Sequence, residues 1–443
     1  MLLRSNHRLS FCVRPAYSNR SSVRNSCFCC RCEVGLKKLS HGMMALLMDT
    51  RLLLRKVKDL RSLTPKRNRV KEKWAATHPK YPPTSLALQH FDATYGVQLG
   101  QLWPSVRVAL LSERKYGALL NNFSHDAVLA ELQAKGCRDF INDTDTEAQP
   151  QLEHESDVGV GEKPSDVPVK KSDGDGQLLS PLKLSPNIKC FVFPRGDITR
   201  FKPARPDMYR LLGYYLLDAA SVLPCLALDV QEGHNVLDLC AAPGGKTLAL
   251  LQTQAFRFLC ANDNSVSRTL RLKKVLQSYV PKEFLTDNNL RITSFDGTKW
   301  GEIEKNTFDR VLVDVPCTTD RHSLMEDDNN IFSRGRTSER RRLPGVQLEL
   351  LLAGIEAACP GGEIMYSTCT LSQTQNLSVV EQAIHLAQEK HGIHLEVVDL
   401  QPLTHMFRKT FHFAPDLQLG EMIIPHLAAN FGPIYMCKLR RLT

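Results

Sequence analysis

The chain has 443 residues, a mass of 49.9 kDa and a net charge of +10. Apolar residues make up 42% and charged residues 23%, which excludes a wholly disordered chain and allows at least one sizeable core. Mean hydropathy is −0.24, and no apolar run reaches about 18 residues, which argues against a membrane-spanning helix.

The charge is uneven. Residues 1–73 hold 18 Lys/Arg against 4 Asp/Glu, whereas residues 139–176 hold 3 against 11. Residues 74–443 together sum to −4, so net charge is no sign of a polyanion-binding surface. The first 32 residues contain six Arg, six Ser and no acid. That composition fits a mitochondrial transit peptide better than a secretory signal. Residues 1–43 read as this presequence or extension. Residues 44–73, basic and Leu-rich, read as a basic segment or the actual presequence. Import into the mitochondrial matrix is therefore expected, a disordered basic tail being the alternative. Cys27, Cys29, Cys30 and Cys32 lack a partner pair at zinc spacing. With Cys12, five of the 14 cysteines fall in the first 32 residues; the other nine are scattered, as in a reduced compartment.

Next, residues 74–138 read as a helical N-terminal region. Residues 139–186, acidic and poor in aromatics, read as a disordered insertion that cannot bury enough apolar surface to offset ordering entropy. Residues 187–443 read as one α/β domain. Strands are predicted at 235–240, 256–263, 290–296, 308–316 and 363–368, and helices at 246–253, 266–279, 343–358 and 374–388. This alternation predicts a doubly wound, mostly parallel sheet. Two late strands, 421–425 and 434–439, predict an antiparallel edge.

AspLeuCysAlaAlaProGlyGlyLysThr at 238–247 joins the first strand to the first helix. In such a sheet, ligands bind beyond the carboxyl ends of the strands. Gly244 and Gly245 permit close backbone approach, and a helix N-terminus favours anionic groups. GlyLysThr at 245–247 mimics a phosphate loop, but that motif needs glycine where Cys240 stands. Asp263 ends the second strand, where a carboxylate can take a ribose diol. Asp296 ends the third and can accept from an adenine amino group. Loop and acids together suit an adenosyl ligand without a pyrophosphate, best S-adenosyl-L-methionine. Taken singly, each acid reads equally as a cap or turn residue.

The fourth strand runs into AspValProCysThrThr at 314–319 and the fifth into TyrSerThrCysThr at 366–370. Cys317 and Cys369 thus share the carboxyl edge of the sheet. A lone buried cysteine is usually a small core hydrophobe; two just past strand ends are harder to explain as packing. Spacing alone does not rank them.

These motifs, with ProGlyGlyGluIleMetTyrSerThrCysThr at 360–370, resemble the NOL1/NOP2/Sun family of RNA (cytosine-5) methyltransferases over roughly residues 181–443. LysTrpAlaAlaThr at 73–77, GlyAspIleThrArgPhe at 196–201, ThrThrAspArgHisSerLeu at 318–324 and AlaAsnPheGlyPro at 429–433 resemble its mitochondrial ribosomal-RNA branch. The resemblance implies a Rossmann-like class I methyltransferase fold. It implies methyl transfer to C5 of cytidine in mitochondrial small-subunit rRNA, in support of mitochondrial ribosome biogenesis. It also implies a helical-repeat partner of the mitochondrial termination-factor type. On it, Cys369 is the nucleophile at C6 and Cys317 assists release. Asp314 contacts the base at N3/N4, or reads as a turn acid. The cofactor-binding set is Cys240, Ala241, Ala242, Pro243, Gly244, Gly245, Lys246, Asp263, Arg268, Asp296, Gly297 and Asp314. Lys246 steadies the strand-end acids or the base, and Arg268 pairs with Asp263 or the cofactor carboxylate; either reads alternatively as a surface cation. Residues 318–342, with Arg321, His322, Arg334, Arg336 and Arg340–342, read as a phosphate-gripping connection or a solvated lid. No metal site is expected. A non-catalytic rRNA-binding assembly factor on the same fold is the competing reading.

Overall fold

A computed structural model describes residues 81–124, 127–142, 185 and 187–443. The presequence reading, the Cys27–Cys32 cluster and most of the acidic insertion lie outside these residues.

Proline is the first residue of α1 (Pro83–Leu99) and the second of α2 (Trp103–Leu111), in the first turn, where its missing N–H costs nothing. There follow β1 (Gly117–Leu120), α3 (Ala127–Ala134), β2 (Arg138–Asp139), β3 (Cys190–Val192) and β4 (Tyr214–Leu217). These four short strands form an antiparallel sheet in the order β2-β3-β1-β4. It interleaves strands from either side of the 143–184 segment. The N-terminal region thus carries helices α1 to α3, and it also supplies β1 to a sheet shared with later residues. Phe140 and Ile141, assigned from sequence to the insertion, are buried, and Phe140 packs edge-on against Phe407 and Phe411.

After the short helix α4 (Leu223–Ala227) the doubly wound unit begins. Its elements run β5 (Asn235–Asp238), α5 (Gly245–Gln252), β6 (Phe258–Asn262), α6 (Val266–Tyr279), β7 (Leu290–Thr293), α7 (Trp300–Ile303), β8 (Phe308–Asp314), α8 (Asp320–Met325), α9 (Thr337–Ala357), β9 (Ala358–Thr368), α10 (Leu377–His391), β10 (Leu395–Val398), α11 (Gln401–Phe407), β11 (Glu421–Ile423) and β12 (Ile434–Arg441). The sheet order is β10-β12-β9-β8-β5-β6-β7, with β11 on β12. Strands β5 to β9 run parallel. Val236, Leu237, Val311, Leu312 and Val313 are fully buried, as a sheet covered on both faces requires. Helix α6 turns Leu272 and Leu276 into that core.

The expected antiparallel edge is present, with β10 and β11 both antiparallel to β12, but the strand order differs. Strand β12 is internal, between β9 and β10, and β10 is the edge. Alternate burial along β10 is weak, with Glu396 exposed and Leu395, Val397 and Val398 half-buried, so its sequence carries little strand signal. Helix α1 lies against α8, where Tyr95 OH meets Asp320, and against the connection after α8, where Phe91 meets Phe332 edge-on. No helix among the described residues is long and apolar enough to cross a membrane.

Candidate active site

The loop from β5 to α5 needs glycine at one point. Gly244 has φ +115°, and a Cβ there would come within 2.8 Å of Leu272 Cδ1, so only glycine closes this turn against α6. The loop is tied to its neighbours: Leu239 N donates to Leu312 O at 3.0 Å and Ala241 N to Asn262 O at 2.7 Å. Asn262 is the part of this framework that the sequence reading missed. Its fully buried amide donates to Leu239 O and Phe295 O and accepts from Thr293 Oγ1 and Phe295 N. One side chain thus holds three successive strand ends together. A polar residue closing an otherwise apolar strand was its only signal.

Beyond these strand ends opens a cleft of about 270 Å³. Cys240, Ala242, Pro243, Asp263, Arg268, Asp296, Gly297, Asp314, Cys317 and Cys369 line it, with Val346 and Leu350 from α9. Ala241 and Gly244 of the loop, and Gly245 and Lys246 at the start of α5, are not part of the lining. Asp263 accepts from Ser265 N at 3.0 Å and pairs with Arg268 at 3.3 Å. Arg268 also donates to Ala242 O, so it joins the loop to the second strand end. Asp296 accepts from Thr298 N and Thr298 Oγ1 through Oδ1, the cap arrangement of a helical turn. Asp296 thus both lines the cleft and caps the turn.

Asp314 ends β8. Lys246 Nζ donates to its Oδ2 and Ser367 Oγ to its Oδ1, each at 2.8 Å. Burial works against the Lys246 ammonium, but the Asp314 carboxylate outweighs it and leaves its pKa above the ordinary lysine value. Lys246 is therefore not a solvated first-turn lysine. Beneath the loop, Asp238 is fully buried and burial pushes its carboxyl up to about 7. Thr247 Oγ1 donates to its Oδ2 at 2.6 Å, while Oδ1 has no partner among the described residues.

The two cysteines meet. Cys317, buried after β8, and Cys369, half-buried after β9, hold their Sγ atoms 3.2 Å apart. The hydrogen bond to Cys317, and then burial, push the Cys369 thiol well above the ordinary range, so at neutral pH it rests protonated.

The basic connection is partly corrected. Arg321 does not face outward. It is 8% exposed and donates to Gly432 O, Asn430 Oδ1 and Ala109 O, fastening α2 to the segment that leads into β12. Arg336 is tied to Glu339 and Asn329, and Arg340 lies over Phe332. His322, Arg334, Arg341 and Arg342 remain exposed. No group of three or more His, Cys, Asp or Glu among the described residues is arranged to hold a metal ion.

A thiol pair at adjacent strand ends, beside a loop and acids suited to an adenosyl group, can add to a ring carbon and later release it. A family model described as 16S rRNA methyltransferase RsmB/F matches residues 225–439. The 5-cytosine rRNA methyltransferase NSUN4 of Xenopus laevis is 52% identical over 401 residues, covering 88% of this chain and 98% of that protein. The chain belongs to the RsmB/F, or Sun, family of RNA (cytosine-5) methyltransferases. NSUN4 of Bos taurus is likewise 52% identical, covering 88% of this chain and 99% of that one. The mitochondrial tRNA (cytosine(34)-C(5))-methyltransferase of Danio rerio is 36% identical, covering 80% of this chain and 87% of that protein. Among solved structures, a methyltransferase homologue from Pyrococcus horikoshii matches with a TM-score of 0.51 at 20% identity, over 82% of this chain and 100% of that one. NSun6 from Pyrococcus horikoshii matches at 0.50 and 16% identity, over 83% and 99%. These two likenesses speak for the fold, the expected Rossmann-like class I methyltransferase sheet.

Proposed function

We propose that the protein methylates C5 of a cytidine in mitochondrial small-subunit rRNA, with S-adenosyl-L-methionine as methyl donor, and so serves mitochondrial ribosome biogenesis. The observation that carries this is the Cys317–Cys369 pair, 3.2 Å apart at sulfur and lining one cleft with Asp263, Asp296 and Asp314. The cradle fits the donor molecule: a glycine turn that tolerates no Cβ, a buried carboxylate placed for a ribose diol, and a second acid one strand further on. When bound, S-adenosyl-L-methionine supplies an electrophilic methyl group.

The protein's own residues do the rest. Asp314, oriented by Lys246 and Ser367, takes the N3/N4 edge of the base, accepting from the N4 amino group, and a proton delivered to N3 on this edge neutralises the negative charge that develops as the thiolate adds. Cys369 loses its proton and its Sγ adds to C6, which breaks aromaticity and makes C5 an enamine-type nucleophile. After methyl transfer, loss of the C5 proton expels the Cys369 thiolate. Cys317 touches the Cys369 sulfur, and we assign it to this release step. The basic Arg-rich N-terminal 73 residues and the mitochondrial relative at 36% identity support a mitochondrial, matrix location. The near-neutral catalytic part supports a helical-repeat partner of the mitochondrial termination-factor type as a source of RNA affinity.

The test is methyl incorporation into a transcript of mitochondrial small-subunit rRNA. Cys369→Ala should abolish it. Cys317→Ala should leave a covalent protein–RNA adduct that survives denaturing electrophoresis. Full activity in Cys369→Ala, with loss only in Cys317→Ala, would reverse the assignment. Normal activity in both would refute thiol catalysis, and no methyl incorporation by the unmodified protein would leave the assembly-factor reading.

A further inference from the structure

Asp320 has no part in the chemistry above, yet its carboxylate is fully buried and four donors converge on it. Oδ1 accepts from Thr318 Oγ1 and Thr370 Oγ1, both at 2.8 Å. Oδ2 accepts from Leu371 N at 2.8 Å and Tyr95 OH at 2.9 Å. Burial alone would push this acid towards its neutral form, and the hydrogen bonds oppose that. A carboxylate is acceptor-only, and four donors match its four lone-pair sites.

The identity of two of those donors matters. Thr318 directly follows Cys317, and Thr370 directly follows Cys369. Their hydroxyls are also 2.8 Å from each other. The turn between Thr318 and Asp320 is strained: Thr319 has φ +48°, a left-handed conformation that a β-branched residue rarely adopts and that surrounding contacts must hold. Gln375 adds to that hold, accepting from Thr318 N and donating to Thr318 Oγ1. Tyr95 brings the fourth donor from helix α1, and its hydroxyl is also 3.1 Å from Thr370 Oγ1.

We infer that Asp320 is a positioning residue that clips both cysteine loops to one carboxylate and thereby sets the separation of the two thiols, with Tyr95 completing the clip from the N-terminal helix. Asp320 touches neither the base nor the methyl donor. It acts through the backbone of Cys317 and Cys369, which β8 and β9 release at Asp314 and Thr368, leaving each thiol on a loop rather than on the sheet. This rests on the proposed division of labour between the two cysteines, since misplaced thiols matter most where one must act on an adduct held by the other.

Two readouts on the full chain test it. One is the fraction of protein held as covalent adduct per methyl transferred to the rRNA transcript. The other needs no RNA: the rate at which diamide joins Cys317 to Cys369. In folded Asp320→Asn, methyl transfer should fall by about 10²-fold, the cost of a small misplacement of reacting groups. Adduct per turnover should rise towards the Cys317→Ala level, and diamide coupling should slow. Thr370→Ala should move both readouts the same way, and Thr370→Ser, which keeps the hydroxyl, should restore them. A folded Asp320→Asn with wild-type values in both overturns the inference. If that variant does not fold, unchanged values in Thr370→Ala overturn it instead. If Cys317→Ala yields no adduct while diamide coupling still slows in Asp320→Asn or Thr370→Ala, the clip stands and the release role of Cys317 falls.

Discussion

Cys317 and Cys369 are 52 residues apart in the chain and 3.2 Å apart at sulfur. The contact exists because β8 and β9 are adjacent and parallel, with Asp314 opposite Ser367. Each strand then delivers a cysteine to the same rim within a few residues.

That proximity makes the pair oxidisable. Diamide should convert the two thiols into a disulfide, taking up their two hydrogens as it is reduced to the hydrazine. Methyl transfer should disappear in step and return on addition of dithiothreitol. Peptide mapping after digestion should find a Cys317–Cys369 cross-link, and inactivation without that peptide would count against the geometry. The raised thiol of Cys369 makes the reaction faster at alkaline pH, because the thiolate is the attacking species.

Asp238 should leave a mark on the pH dependence of stability. Its folded carboxyl titrates near 7, against about 3.9 in an unfolded chain. Between these values the unfolded state ionises while the folded state keeps its proton. Stability from this group is complete below the unfolded pKa and is lost as pH rises through the folded one, by an amount on the order of 4 kcal/mol. Asp238→Asn removes the titration. Its melting temperature relative to wild type should climb between pH 4.5 and 7 and then level off. A constant difference across that range would show that Asp238 titrates normally.

Lys246 and Asp314 form a pair whose members depend on each other, with side-chain exposures of 13% and 28%. Lys246→Met or Asp314→Asn alone leaves a poorly solvated charge without its partner. Each should cost about 3 kcal/mol, the low end for breaking a buried pair, because Asp314 keeps some solvent. The double variant should lose less than the two single losses added. Denaturant melts of the four proteins measure the coupling; additive losses would mean the pair is electrostatically idle. All three variants should lose methyl transfer, since the base then has no oriented carboxylate.

Much of the catalytic sheet was legible in the sequence, because parallel strands are continuous apolar runs and the intervening helices are amphipathic. The predicted helix 266–279 coincides with α6 at both ends. Legibility failed where local signals conflict. Helix α9 begins at Thr337, six residues before the predicted start, because its first turns are charged and contain Pro344. Strand β9 begins at Ala358, since Pro360, Gly361 and Gly362 read as a turn. The cysteines and strand-end acids were readable as strand-end residues because each lies at, or within three residues of, the end of its strand. Tyr95, Asn262 and Asp320 were not. Their significance lies in partners that meet only across the fold, and for Arg321 the same cause turned an expected phosphate contact into an internal strut.

Tyr95 reaches Asp320 and Thr370 across 225 and 275 residues of chain. Contacts this distant in sequence must wait for the intervening chain and form slowly. During synthesis, helix α1 emerges early and its docking surface only near the end. Leu371, the last donor to Asp320 in chain order, is made two residues after Cys369, so the second thiol and the groups that align the pair leave the ribosome together, and helix α1 waits for both.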